Sequence, residues 1–316
     1  MERNFSLDIL KLCLAFMVVG LHAGFLNDFS AAGHFLTVHG VFRIAVPLFF
    51  VINGYYFSSI ANISELAKWV KKITLLYVFW MLCYSYFWFD FERNGVVFTI
   101  NTMMLGYNHL WYLPAMVGAG ILTFLFRNNL GKAACFAFVA FLTGVLIQYM
   151  GNYHIIENEF FDMLLNKINF HRNFLFFGFP FFFIGFYIRH TEYNASFSRL
   201  ILIVISGFVL LLLESYYNYS NPFNDGGFDN LLSLAIICPA IFLVILKMPF
   251  KSENKKLAFV SSGVYFVHLS FLIILRDVFM SGYQGTTLTI LCILISVLAS
   301  FVLIKVRDKT RWSFIL

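Results

Sequence analysis

LDILKLCLAFMVVGLHAGF, residues 7–25, decides how this chain is read. It is long and apolar enough to cross a bilayer as one helix, since about 20 residues rising about 1.5 Å each span the hydrocarbon. Yet it holds Asp8, Lys11 and His22, and an ionisable group costs a few kcal/mol at the bilayer centre. At about 100° per residue, Lys11 and His22 stand roughly three turns apart and within about 20° of the same direction. Asp8 and Ala15 fall on that stripe too. The helix therefore has one polar seam, which must face protein or water while its other sides face lipid.

The remainder of the chain agrees with lipid as its solvent. Of its 316 residues, 60% are hydrophobic and 12% charged, and the mean hydropathy is +0.80; a soluble domain carries roughly twice that charge fraction. Apolar runs predict an all-α, polytopic membrane helix bundle of ten spans, near 7–26, 39–60, 72–91, 109–126, 133–150, 173–189, 200–217, 229–247, 257–275 and 286–305. Pro180 is expected to kink the sixth. Without a repeat of fixed period, a low-complexity tract or a stretch large enough for a soluble domain, residues 1–316 read as a single membrane domain. The first span is expected to be retained, because Lys11 interrupts it and no A-x-A cleavage site follows.

The formal net charge of +6 does not imply nucleic acid, because the basic residues are spread over loops and form no patch. Their spread reports orientation. With the N-terminus inside, the cytoplasmic segments collect 17 of the 22 Lys and Arg residues, among them Arg3, Lys251 and Arg311. The outer loops hold Arg93, Lys167, Arg172 and Arg276, and Arg43 lies within the second span. This alternation places both termini in the cytoplasm. The five cysteines, Cys13, Cys83, Cys135, Cys238 and Cys292, sit in apolar runs without paired spacing and read as small buried hydrophobes. No metal-ligand spacing occurs.

Polar groups collect at one level. His22 lies about 6 Å below the outer end of the first span, Arg43 returns at a similar depth, and His109, Trp111 and Tyr112 open the fourth span. His171 and Arg172 open the sixth, and His268 lies midway along the ninth. On the inner side, Lys68, Lys71 and Lys72 share one helical face, as a positive-inside anchor or as a seat for a polyanion such as a nucleotide phosphate.

Four segments together resemble the membrane acyltransferase-3 family, which includes bacterial O-acetyltransferases of cell-surface polysaccharides. They are the opening stretch, RIAVPLFFVINGYYF (43–57), KWVKKITLLYVFW (68–80) and HLWYLPAM (109–116), with a weaker echo in SSGVYFVHLSF (261–271). Lys11 stands where members usually carry Arg, and Asn53 where Ser is usual. Lys68 and Lys71 stand for a pair that is often Arg-x-x-Arg.

The resemblance implies a protein of the bacterial cell membrane with acyl-CoA, most often acetyl-CoA, as co-substrate and no permanently bound cofactor. It would move the acyl group from the cytosol to a hydroxyl of a glycan or lipid-linked saccharide at the outer face. Lys11, Lys68, Lys71 and Lys72 would hold the donor. Lys11 and His22 are about 16 Å apart along one face, comparable to an extended pantetheine arm. His22 would serve as general base or as a nucleophile carrying an acyl-imidazole. Arg43, Asn53, His109, Trp111, Tyr112 and His268 are the candidates for binding the acceptor or stabilising an oxyanion. The rival class is a glycan flippase or exporter. Buried carboxylates, which proton-coupled transporters use in their relays, are scarce here, with Asp8 and Glu214 the nearest cases.

Overall fold

A chain in lipid must satisfy its backbone internally, so helices are expected throughout. The computed structural model describes residues 4–89, 91–221, 223–225, 227–248, 250, 255–310 and 314–316, with the backbone alone at 91–94. Arg3, Lys251, Arg311 and the Arg93 side chain lie outside the described residues. The helices are α1 (Phe5–Ala23), α2 (Ala31–Val38), α3 (Ala45–Phe57), α4 (Ile63–Cys83), α5 (Ser85–Trp88), α6 (Phe91–Leu105), α7 (Tyr112–Phe126) and α8 (Leu130–Asn152). They continue with α9 (Glu159–Leu165), α10 (Ile168–His171), α11 (Phe179–His190), α12 (Phe197–Ser220), α13 (Leu234–Leu246), α14 (Lys256–Ile274) and α15 (Thr286–Thr310).

Seven helical segments among the described residues are long and apolar enough to cross a membrane: Phe5–Ala23, Ala31–Phe57, Asn108–Phe126, Leu130–Asn152, Phe197–Ser220, Lys256–Phe279 and Thr286–Thr310. The sixth and eighth expected spans are the shorter apolar helices Phe174–His190 and Leu234–Leu246. The third falls on α4, whose first half carries Glu65, Lys68, Lys71 and Lys72 and is thus too polar for a full span. Among the described residues the fold is an all-α bundle in which seven segments qualify as spans by length and composition, and three of the ten expected spans fall on shorter or more polar helices.

Close helix crossings shape the bundle. An added Cβ on Gly54 of α3 would stand 1.8 Å from the Phe182 carbonyl oxygen, and one on Gly185 of α11 would stand 1.9 Å from that of Val51. Two backbones thus touch where neither helix carries a side chain, the small-residue contact on which helices in lipid rely. Gly263 of α14 makes room for the Ser300 side chain of α15, whose Oγ would stand 2.5 Å from an added Cβ. Phe50, Phe179, Phe181 and Phe182 fill the space around the first crossing and are fully buried. Helix α1 packs against α14, α15 and α3 at the centre.

Two local expectations change and a third is sharpened. The irregularity in the sixth span lies ahead of Pro180: a π-turn at Phe174–Gly178 leads into α11, and Pro180 occupies the first turn of that helix, where its missing N–H costs nothing. Glu214, expected as a near case of a buried carboxylate, is a helix-end cap, accepting hydrogen bonds from the Leu232 and Ser233 N–H groups (2.7 and 2.9 Å) at the start of α13. Among the cysteines, Cys238 and Cys292 are buried, whereas Cys13, Cys83 and Cys135 face outward, as an apolar side chain can where the solvent is lipid.

Candidate functional site

Two cavities flank α1. One, of about 290 Å³, is lined by His22, Arg43, Asn108, His109, Trp111, Arg172, Asp229 and Tyr265 together with apolar neighbours. The other, of about 220 Å³, is lined by Lys11, Asn53, Lys72, Tyr112, Ser261, Ser262 and Tyr265, again with apolar residues. Tyr265 borders both. The polar seam of α1 accounts for the pair: Lys11 meets one cavity and His22 the other, while Asp8 and Ala15 on the same stripe are buried.

Four side chains of the histidine cavity are delivered by the ends or breaks of helices. His22 lies in the last turn of α1, which Gly24 ends in the left-handed conformation (φ 73°). Arg43 sits on the 3₁₀ turn Val41–Ile44 that interrupts the Ala31–Phe57 segment. His109 and Trp111 belong to the turn Asn108–Trp111, entered through Gly106 at φ 92°, where an added Cβ would stand 2.6 Å from the Trp111 nitrogen. A side chain at position 106 would therefore be excluded twice, by conformation and by space.

The histidines stack inward. The rings of His22 and His268 are 5.4 Å apart between centroids, and those of His268 and His109 are 4.8 Å apart in a T-shaped pair. His268 Nδ1 lies 2.7 Å from the Tyr265 carbonyl oxygen. A carbonyl only accepts, so Nδ1 carries a proton and donates it; in the neutral ring Nε2 is then the acceptor. That Nε2, and both ring nitrogens of the buried His109, have no hydrogen-bond partner among the described residues. Tyr265 closes the cluster by donating its hydroxyl to the His109 carbonyl at 2.6 Å.

Opposite the histidines, charge is fixed by a scaffold. Arg43 donates to Asp229 through Nη1, to the Val38 carbonyl through Nε at 3.0 Å, and to His39 Nδ1 through Nη2 at 3.1 Å. Arg172 reaches the second Asp229 oxygen at 3.5 Å and lies 5.0 Å over the Trp111 ring. Gln148 of α8, fully buried, pins the Asp229 segment. Its Oε1 accepts from the Asp229 and Asn230 N–H groups at 2.7 and 2.8 Å, and its Nε2 donates to the Asn230 carbonyl at 3.0 Å.

In the lysine cavity, Asn53 Nδ2 donates to the Tyr112 hydroxyl at 2.8 Å and to the Phe49 carbonyl at 2.9 Å. Lys11 Nζ lies 5.4 Å over the Tyr56 ring. The expected residues therefore divide. His22, Arg43, His109 and Trp111 line the histidine cavity, with His268 packed behind His22, while Lys11, Lys72, Asn53 and Tyr112 line the lysine cavity. Lys68 and Lys71 are exposed on α4 and border neither cavity. Asp229, Gln148 and Tyr265 were not anticipated from the sequence. Tyr265 alone left a signal there, three residues before His268 and so on the same face of one helix.

Over residues 4–305 the chain matches the acyltransferase domain of the acyltransferase-3 family. It is 30% identical over 204 residues to an amino-acid racemase of Enterococcus faecalis, covering 60% of this chain and 29% of that protein. A second amino-acid racemase of Enterococcus faecalis is 24% identical over 344 residues, 99% of this chain and 47% of that protein. A serine/alanine racemase of Enterococcus gallinarum is 27% identical over 270 residues, 78% and 37% of the two chains. The chain thus spans less than half the length of these relatives. No solved structure matches it.

Proposed function

This chain belongs to the acyltransferase-3 family, and from that premise we propose that it is an O-acyltransferase. It takes an acyl group, most simply acetyl, from cytosolic acyl-CoA and passes it to a hydroxyl of a glycan or lipid-linked saccharide at the outer face of a bacterial cell membrane. One observation supports the reading above all: a single helix presents a cation to one cavity and an imidazole to a second, with Tyr265 bordering both. On this reading Lys11 and Lys72 hold the donor phosphates. The pantetheine arm runs along α1, and the thioester meets the acceptor at His22. A neutral imidazole there removes the hydroxyl proton as a general base, or attacks first and carries the acyl group itself. Arg43 and the donors around it stabilise the oxyanion that forms when the carbonyl is attacked.

The test is release of CoA from acetyl-CoA, and then from succinyl-CoA, by the purified protein in nanodiscs with an extracted glycan fraction. Wild type is expected to cleave one of the two, and His22→Ala to lose about 10²- to 10⁴-fold in rate while still binding CoA. Label retained on the wild-type protein after use of acyl-labelled donor selects the acyl-imidazole route. A protein that leaves both thioesters intact is no acyltransferase, and the flippase reading then takes its place.

A further inference from the structure

The histidine cavity contains an arginine whose donors are mostly unspent. A guanidinium carries five N–H donors in a planar fork suited to two oxygens at once. Arg43 has committed three of its five N–H donors, to Asp229, Val38 and His39. Arg172 makes one long contact with Asp229, at 3.5 Å, and its Nε is buried with no hydrogen-bond partner among the described residues. Its contact over the Trp111 ring uses none of its N–H donors. Two guanidinium groups thus face a single carboxylate in the cavity lining, which leaves one positive charge over. Leaving a buried donor of a charged group unpaired is unfavourable, and a neutral hydroxyl acceptor would relieve it poorly.

We infer that the acceptor bears an oxyanion group, a carboxylate or a phosphate, close to the hydroxyl that is acylated, and that Arg172 receives it. The inference rests on the acyl-transfer reading above and names the class of its acceptor. Anchoring at Arg172 turns the neighbouring hydroxyl toward His22, which lines the same cavity. In the transfer, the hydroxyl oxygen forms the new C–O bond, the thioester C–S bond breaks, and the hydroxyl proton passes by way of His22 to the leaving CoA sulfur. Nothing else is consumed. The anion itself does not react, so Arg172 is a positioning residue for the acceptor.

Binding can be read without the chemistry. Purified wild-type protein, without acyl-CoA, is titrated with sodium glucuronate, sodium glucose 1-phosphate and methyl glucoside at matched sodium concentration, and thermal stabilisation is followed. At least one of the two anions is expected to bind about tenfold or more tightly than the neutral glucoside, a difference that one charge-assisted bidentate contact supplies. Preference for glucuronate points to an acidic sugar, and preference for glucose 1-phosphate to the phosphate of a lipid-linked saccharide. Arg172→Gln is expected to abolish the preference, and Arg172→Lys to keep only part of it, because lysine retains the charge without the fork. Equal response to all three ligands in wild type overturns the inference, whether or not the variants fold. So does a preference that survives in Arg172→Gln. A protein that acylates a neutral sugar and shows no anion preference refutes this inference alone. One that prefers anions and cleaves no thioester refutes the acyl-transfer reading alone.

Discussion

The two cavities beside α1 hold positive charge in opposite ways. In the histidine cavity, Arg43 and Arg172 converge on Asp229, which Gln148 ties down through the backbone. In the lysine cavity, no Asp or Glu side chain enters the lining among the described residues, and Lys11 and Lys72 reach it on flexible stems. A planar guanidinium on a fixed support selects for shape, whereas an ammonium on a four-carbon stem follows a charge that moves. The first arrangement suits a ligand that must be oriented to within a bond's direction. The second suits a mobile polyphosphate that need only be retained.

Damage to the element common to both cavities gives the largest effect. Helix α3 bears Asn53 toward the lysine cavity and follows directly on Arg43 of the histidine cavity, and its position is set by the glycine crossing with α11. Gly54→Ala puts a methyl group 1.8 Å from a backbone oxygen that has no flexible end to swing away. The expected cost is about 1–3 kcal/mol or more, read as a lower unfolding temperature in detergent and loss of both CoA binding and turnover. Gly131→Ala, where an added Cβ meets nothing within 4 Å, serves as the control. Equal stability of the two variants would mean that the crossing does not set the bundle geometry.

Next in size is an injury confined to the histidine cavity. Gln148→Ala strips the acceptor from two buried N–H groups beside Asp229, at about 1–3 kcal/mol for each group left unpaired. With acyl transfer as the assay, kcat/KM for the acceptor should fall by about 10- to 100-fold while KM for acyl-CoA stays put. A rise in the acyl-CoA KM of the same size would show that the two cavities are not separate sites.

The mirror experiment is milder. Lys72→Ala should raise KM for acyl-CoA about five- to tenfold, roughly 1 kcal/mol, with kcat little changed. Lys68→Ala should stay within about twofold, because that side chain is exposed and borders no cavity. Identical responses would return the three lysines to a common role as a topology signal.

That pair of variants marks the line between what the sequence disclosed and what it did not. Helical periodicity fixes the faces of one helix, so Lys11 and His22 could be placed on one seam from spacing alone. Depth along successive spans brought Arg43, His109 and Trp111 to the level of His22, and the structure seats all four around one cavity. The same counting applied to the lysines gave a shared face on α4, yet which of them reaches the cavity depends on the rotation of α4 in the bundle, and of the three Lys72 lines it. Asn53 lies ten residues beyond Arg43 on a returning helix, a depth that belongs to the lysine cavity. Asp229 left no pattern to find. It sits in an irregular segment held by Gln148, 81 residues earlier in the chain, and no local rule connects the two.

The smallest expected effect tests whether the segment leading to Asp229 is held at its other end as well. His154, beyond α8, contacts Asp162 at 2.8 Å and Asp225 at 3.3 Å, and the Asp225 N–H donates to the Asn152 carbonyl at 3.2 Å. Its hydrogen bonds to Asp162 and then Asp225 raise its pKa above the ordinary histidine value. A group whose pKa is raised by folding contributes stability that is fully present below its unfolded pKa, about 6.5, and is lost as pH climbs through the higher folded value. The ring is half exposed, so solvent screens the pairs and the contribution is held to a few tenths of a kcal/mol. His154→Asn is the suitable variant, because the residue has a φ of 49° that Asn tolerates. Its unfolding temperature should fall about 1 °C below that of wild type at pH 6 and match it at pH 9. If the difference is the same at both pH values, the clamp is held by the ring's packing and not by its charge. The far end of the Asp229 segment would then be held independently of pH, and the acceptor preference of the histidine cavity should be indifferent to pH in this range.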